Sequence, residues 1–434
     1  MKSFLSRLAQ ISVVQTALAL FGQRFVSYLL PLVTIPYLAR VLGPESWGLV
    51  LFAQAIGLYV ALVIDYSFSI SATREVARQR DDVRELARIL SGVLGTKLIL
   101  AMLSFAIIAV LQLLVPTLRE AGVFVWLGIF WAFGFAFLPM FFFQGVERVP
   151  RILAFEIPLR VASTVAVFVF VRVPEDAWKV LILQGIAGFL IMIAGMLMVY
   201  RDIPFVRPNL SLSLQSLREG RQLFAGKISS SLYWMSNPVI LGFVAPVQFV
   251  GFYAGAERIV KAVQLVTEPI TQALFPRSSS LAQYNRIRLA RIVSFTTVAM
   301  TAWGVIAGAL LYLVAPALIG VLLGPGYEPA VPVIRVLALL LPVMGISMPL
   351  VVQWMIPLGL DRDLMWIALA AGILHIPMAV LLALQFAHIG IAWAYVVTET
   401  CSLLAIVLTL YFRGLIPFTF QLPAEPELQF REDY

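Results

Sequence analysis

Arg24, Lys97, Glu156, Arg160, Glu257, Arg258, Lys261, Glu268 and Glu399 each sit inside a stretch otherwise apolar enough to span a bilayer. A charge at the bilayer centre costs roughly 3 kcal/mol even on the lenient insertion scale. These side chains must therefore face an interior that water or a charged solute can enter. Glu156 with Arg160, and Glu257 with Lys261, stand four residues apart, so each pair can neutralise itself along one helix face. Lys97 lies close enough to the start of its helix for the ammonium to snorkel outward. Arg24 and Arg258 have no acidic residue three or four positions away. Each needs a partner from another helix, or an anionic ligand.

Cations in a cavity suit phosphate, because they offer it charge-assisted hydrogen bonds. Arg24, Arg258, Lys97, Arg160 and Lys261 are thus candidate contacts for a phosphate-bearing solute, and Tyr233 and Asn237 could stack on or hydrogen-bond a sugar. The carboxylates Glu399, Glu268, Asp65, Glu257 and Glu156 are candidates for uptake of a coupling ion, H+ or Na+. No catalytic residue and no cofactor are expected. Two histidines and one cysteine argue against a zinc site or an intrachain disulfide framework. A membrane glycan polymerase would want a long loop carrying catalytic residues, and no connection here is long enough.

The elements that carry these residues follow from hydropathy. The chain is 61% hydrophobic and 12% charged, about half the charged share of a soluble domain. Charge-free runs recur that reach the ~20 residues a helix needs to cross the hydrocarbon core. Twelve spans are expected, near 12–36, 47–69, 91–114, 121–143, 151–172, 178–200, 223–244, 248–271, 292–316, 331–357, 364–385 and 389–412. The net charge of +8 is confined largely to the connections, with 21 of the 31 basic residues on one side of the expected bilayer and five on the other. The positive-inside rule places both termini in the cytoplasm, and nucleic acid is not needed to explain the charge. Met1 to Gly22 resembles a signal peptide, yet its apolar pattern continues through Leu38, so it is read as a retained first span. Arg74 to Leu90 reads as a short surface helix with an Arg78–Asp82 pair.

The halves echo one another at an offset of about 202 residues: Pro36 and Pro44 match Pro238 and Pro246. One residue later in offset, Gly48 matches Gly251, Asp65 matches Glu268, and Arg74 matches Arg277. Six spans per repeat is an even number, so both halves would insert in the same orientation, with a substrate path between them. The expected fold is an all-α membrane protein: twelve transmembrane helices in two six-helix lobes related by a parallel repeat. The lobes are residues 1–205 and 206–415, followed by a disordered cytoplasmic tail at 416–434.

The run Ile35-Pro36-Tyr37-Leu38-Ala39-Arg40-Val41-Leu42-Gly43-Pro44-Glu45-Ser46-Trp47-Gly48 resembles the opening signature of Wzx-type polysaccharide (O-antigen) flippases. Ser71-Ala72-Thr73-Arg74-Glu75, Phe143-Gln144-Gly145-Val146-Glu147-Arg148 and Tyr253-Ala254-Gly255-Ala256-Glu257-Arg258-Ile259-Val260 add to the resemblance. So do Leu274-Phe275-Pro276-Arg277 and Leu323-Gly324-Pro325-Gly326-Tyr327. The resemblance implies the multidrug/oligosaccharidyl-lipid/polysaccharide exporter superfamily, a cationic cavity and alternating access. It also implies an undecaprenyl-diphosphate-linked oligosaccharide as substrate, moved across the bacterial inner membrane. Membrane lipids, a glycan polymerase and a chain-length regulator are the other candidate partners. An ion-coupled multidrug exporter and a lipid II flippase of the same superfamily are the alternatives.

Overall fold

The computed structural model describes residues 2–419, with side chains described from residue 30 onward except at 31, 32, 229, 230 and 232. The side chain of Arg24 and residues 420–434 of the expected tail lie outside the described part. Among the described residues, every regular element is a helix. The first half comprises α1 (Lys2–Asp65), α2 (Phe68–Arg78), α3 (Val83–Leu114), α4 (Pro116–Ala121), α5 (Val123–Ala136), α6 (Met140–Gly145), α7 (Val149–Phe170) and α8 (Ala177–Asp202). The second comprises α9 (Leu210–Trp234), α10 (Asn237–Val244), α11 (Val247–Gln264), α12 (Glu268–Tyr284), α13 (Arg286–Leu322), α14 (Ala330–Leu337), α15 (Leu340–Met348) and α16 (Asp361–Phe412).

Eight helical stretches among the described residues are long and apolar enough to cross a membrane. Two of them contain a break, at Gly43 (φ 71°) in α1 and at Ala387 (φ 48°) in α16. Unbroken, the 52 residues of α16 would extend about 78 Å, far beyond the ~30 Å hydrocarbon core. The break at Ala387 falls in the gap expected between 364–385 and 389–412 and divides α16 into two spanning lengths. The α9–α10 and α11–α12 stretches fall outside the eight, and they are the ones whose sequences carry Lys227, Glu257, Arg258, Lys261 and Glu268.

The expected surface helix over 74–90 is not a single piece. α2 stops at Arg78, and Asp82 instead caps α3, its Oδ1 accepting from the amides of Arg84 (2.9 Å) and Glu85 (3.1 Å). The Arg78–Asp82 pair is therefore absent. A short carboxylate satisfies the orphan donors of a helix start better than it serves a helix interior, and the cap wins.

Glycine sets how closely the halves approach. A Cβ on Gly48 would overlap the carbonyl of Val247, and one on Gly251 would overlap the carbonyl of Pro44 and lie 3.4 Å from Gly48 Cα. The two glycines matched by the internal repeat thus pack against each other, α1 on α11. Small residues let backbones meet where hydrophobicity supplies no driving force between helices in lipid. At the same end, Arg40 donates to the Val321 carbonyl at the close of α13. Gly324 (φ 88°) packs on the Arg40 side chain, and Tyr327 is fully buried with its ring edge-on to Phe252. The Arg40–Gly48 and Leu323–Tyr327 signatures therefore form one seam joining the halves.

Candidate functional site

A cavity of about 1390 Å³ lies between the halves. The first half contributes Trp47 and Gln54 from α1, Arg160 from α7 and Gln184 from α8 to its wall. The second contributes Tyr233, Trp234, Arg258, Lys261, Glu268, Tyr395 and Glu399. Three helices of the second half lose regularity where they reach it. α9 ends at Trp234 before α10 begins, α11 passes to α12 through a 3-10 turn at Leu265–Thr267, and α15 runs into a π-helical stretch at Pro349–Met355. Irregular backbone at membrane depth is tolerable only where protein or a wet cavity receives its polar groups.

Of the three cations on the cavity wall, Arg258 is the one that contacts the opposite half. It donates to Gln54 Oε1 at 3.0 Å, and Gln54 in turn donates to Gln184 Oε1 at 3.0 Å. Its guanidinium carbon stands 5.4 Å from the centre of the Trp47 ring, a cation–π distance. Among the described residues no carboxylate forms an ion pair with it. Neutral amides and an aromatic face hold the guanidinium in place and leave its charge uncompensated by any carboxylate contact.

The other two cavity cations are paired. Arg160 meets Glu156 at 2.8 Å, and Lys261 meets Glu257 at 3.1 Å while lying 5.6 Å over the Trp234 ring. Both are the pairs expected from i, i+4 spacing. In each, the carboxylate is buried behind the wall and the cation reaches the cavity. Glu156 and Glu257 thus do not line the cavity themselves. Glu268 lines it and accepts from Gln272 at 2.8 Å. Glu399 lines it as an electrostatic neighbour of Tyr233, which lines it too.

Other candidates lie elsewhere. Lys97 does not snorkel; it is 1% exposed, donates to the Ala136 carbonyl at 2.6 Å and pairs with Asp65 at 3.9 Å. Asp65 also meets Lys227 of the second half at 2.8 Å. Neither Lys97 nor Asp65 lines the cavity. Depth along its own helix suggested an escape route, but a carboxylate 32 positions earlier in the chain offers the ammonium a nearer partner. Asn237 is fully buried and hydrogen-bonds His375 Nε2 at 2.8 Å, while His375 Nδ1 meets Thr398 Oγ1 at 2.8 Å. It belongs to a polar network behind the wall, with Tyr253 and Glu257 (3.2 Å) close by. Gln54, Gln184, Lys227 and His375 were not singled out from the sequence. A search for charged side chains inside apolar runs passes over uncharged amides, and the histidine enters the sequence reading only as a zinc ligand.

A family profile described as "Polysaccharide biosynthesis protein" matches residues 13–282. A protein of Escherichia coli (strain K12) named "Putative O-antigen transporter" is 30% identical over 375 residues, covering 86% of this chain and 90% of that protein. A Shigella dysenteriae protein of the same name is 28% identical over 397 residues, covering 89% and 97%. Among solved structures, "Lipid II flippase MurJ, inward closed conformation" superposes with a TM-score of 0.68 at 12% identity, over 92% of this chain and 87% of that one. An inward-facing multidrug resistance MATE family transporter of the MOP superfamily gives 0.61 at 13% identity, over 91% and 100%. At these identities the structural likeness speaks for the fold.

Proposed function

The chain belongs to the polysaccharide biosynthesis protein family, and from that premise we propose that it is a flippase for an undecaprenyl-diphosphate-linked oligosaccharide in the bacterial inner membrane. It is a membrane transporter rather than an enzyme, with the fold shared by the flippase and MATE structures. The observation that carries the substrate reading is Arg258, a guanidinium on the cavity wall with amide and aromatic neighbours and, among the described residues, no carboxylate in an ion pair with it. A diphosphate supplies the missing negative charge and accepts from the guanidinium fork. Arg160 and Lys261 reach the same space, so the cavity offers cations first, and two of their counter-carboxylates stay behind the wall.

In this reading the twelve expected crossings form two lobes, 1–205 and 206–415, with both termini cytoplasmic. The lobes rock, parting and re-forming the seam of Gly48 and Gly251, and so expose the cavity to each side in turn. Glu399, with Tyr233 beside it, takes up the H+ or Na+ that resets the carrier. Glu399→Gln is then expected to abolish the response of transport to an imposed ion gradient in proteoliposomes. A gradient response equal to wild type would remove Glu399 from the coupling role.

The rival reading is export of cationic drugs. Purified protein in nanodiscs should bind an undecaprenyl-diphosphate-linked disaccharide, with affinity falling about tenfold or more in Arg258→Ala, the scale of one charged hydrogen bond (about 1.5–3 kcal/mol). A lipophilic cation should not compete. Competition by the cation, with binding indifferent to Arg258, would favour the drug exporter.

A further inference from the structure

Outside the cavity, the second half carries a groove of about 640 Å³ between α12 and α13. Ile270 and Leu274 form one wall, Phe295 and Ala299 the other, and among the described residues Arg291 is the only charged one on its lining. At its inner end Val266, Thr267, Met300 and Trp303 line the groove and the central cavity alike. Val266 and Thr267 lie in the 3-10 turn that interrupts the helix between α11 and α12. Groove and cavity are thus divided by a single layer of side chains, at a point where the helix is already broken. From Arg291 to Trp303 is about 18 Å along α13, so the track leads from the cationic start of that helix toward mid-membrane depth.

We propose that this groove seats the isoprenoid tail of the lipid-linked solute while its diphosphate occupies the cavity, an assignment that rests on the flippase reading above. A substrate of this class has a charged head and a long hydrocarbon tail, and it needs two adjoining compartments of opposite polarity joined by a window. The cavity, the groove and their four shared residues supply that arrangement. At roughly 30 Å³ per water-sized group, 640 Å³ holds on the order of twenty such groups, or about four isoprene units. The remainder of the tail stays among acyl chains. Lipid is as apolar as the groove, so seating the tail gains no hydrophobic energy. The groove acts by guiding the tail along a fixed track between α12 and α13, which keeps the diphosphate at the window.

The test uses the full chain in proteoliposomes, with two fluorescent disaccharide-diphosphate probes, one on an undecaprenyl tail and one on a ten-carbon geranyl tail. A photoreactive benzoyl-phenylalanine at Phe295 or Ile270 should crosslink the undecaprenyl probe, and excess unlabelled probe should suppress that crosslink. Ala299→Trp, which fills the groove at an exposed position, should slow the undecaprenyl probe about tenfold and leave the geranyl probe within twofold. Val298→Trp, exposed on the same helix but outside the groove, should change neither. Crosslinks to phospholipid alone, or unchanged transport of the long probe in Ala299→Trp, would overturn the groove assignment while leaving the flippase reading intact. Failure of the wild-type protein to move either probe would overturn both.

Discussion

Arg258 is held in position by neighbours that carry no charge. The Trp47 ring and the Gln54–Gln184 amide chain fix the guanidinium without offering it a counter-charge. Its importance was legible in the sequence, because a cation in an apolar run with no acid at i±3 or i±4 has to find a partner elsewhere. Its amide neighbours were not legible, since a glutamine in a membrane helix gives no cue to which distant glutamine it meets. Lys97 shows the same limit from the other side. Its spacing told how deep it lies, whereas Asp65, approaching across a helix contact, decided what it does. We therefore expect Lys97 to be structural. Lys97→Met should lower stability by roughly 2–3 kcal/mol, under the usual 3–5 for a severed buried pair because Asp65 keeps Lys227. Unfolding of the purified protein measures this, and reconstituted transport per folded molecule should stay within twofold. Lost transport with unchanged stability would return Lys97 to the substrate path.

At the scale of elements, hydropathy found the long apolar helices, and it located the break in α16 through the gap between two runs. It could not foresee that α9, α11 and α15 are interrupted where they face the cavity. Those interruptions depend on a polar space assembled from both halves, which no local window contains. The repeat offset is more informative, since it pairs Gly48 with Gly251, which the fold brings into contact. The pairing has a mechanical consequence: that end of the cavity can close only while both positions lack a side chain. Gly251→Ala should hold the seam apart. A cysteine at Gln272, on the cavity wall, in a Cys401→Ser background should then react with a membrane-impermeant thiol reagent added on the outer side. Gly320→Ala, with open space around the added carbon, should leave the labelling unchanged. Equal protection in Gly251→Ala and the parent would show that the seam is not a gate.

For the whole molecule, composition, charge asymmetry and the Arg40–Gly48 and Leu323–Tyr327 signatures pointed to one class of protein, and the family match agrees. The seam built from those signatures gives them a structural reason: they hold the halves together at one end of a cavity whose wall presents Arg160, Arg258 and Lys261. Paired carboxylates behind two of these cations lower the cost of keeping charge in the membrane, while the third forms no ion pair among the described residues. On the proposed reading, function reduces to moving a diphosphate past that third cation. The most direct measurement is transbilayer movement of an undecaprenyl-diphosphate-linked disaccharide in proteoliposomes, followed by quenching of the probe that remains in the outer leaflet. Wild-type protein should equilibrate the probe between leaflets, Arg258→Lys should retain part of that rate, and Arg258→Ala should fall about tenfold or more, toward protein-free vesicles. Transport by Arg258→Ala at the wild-type rate would contradict a role for this guanidinium in carrying the diphosphate.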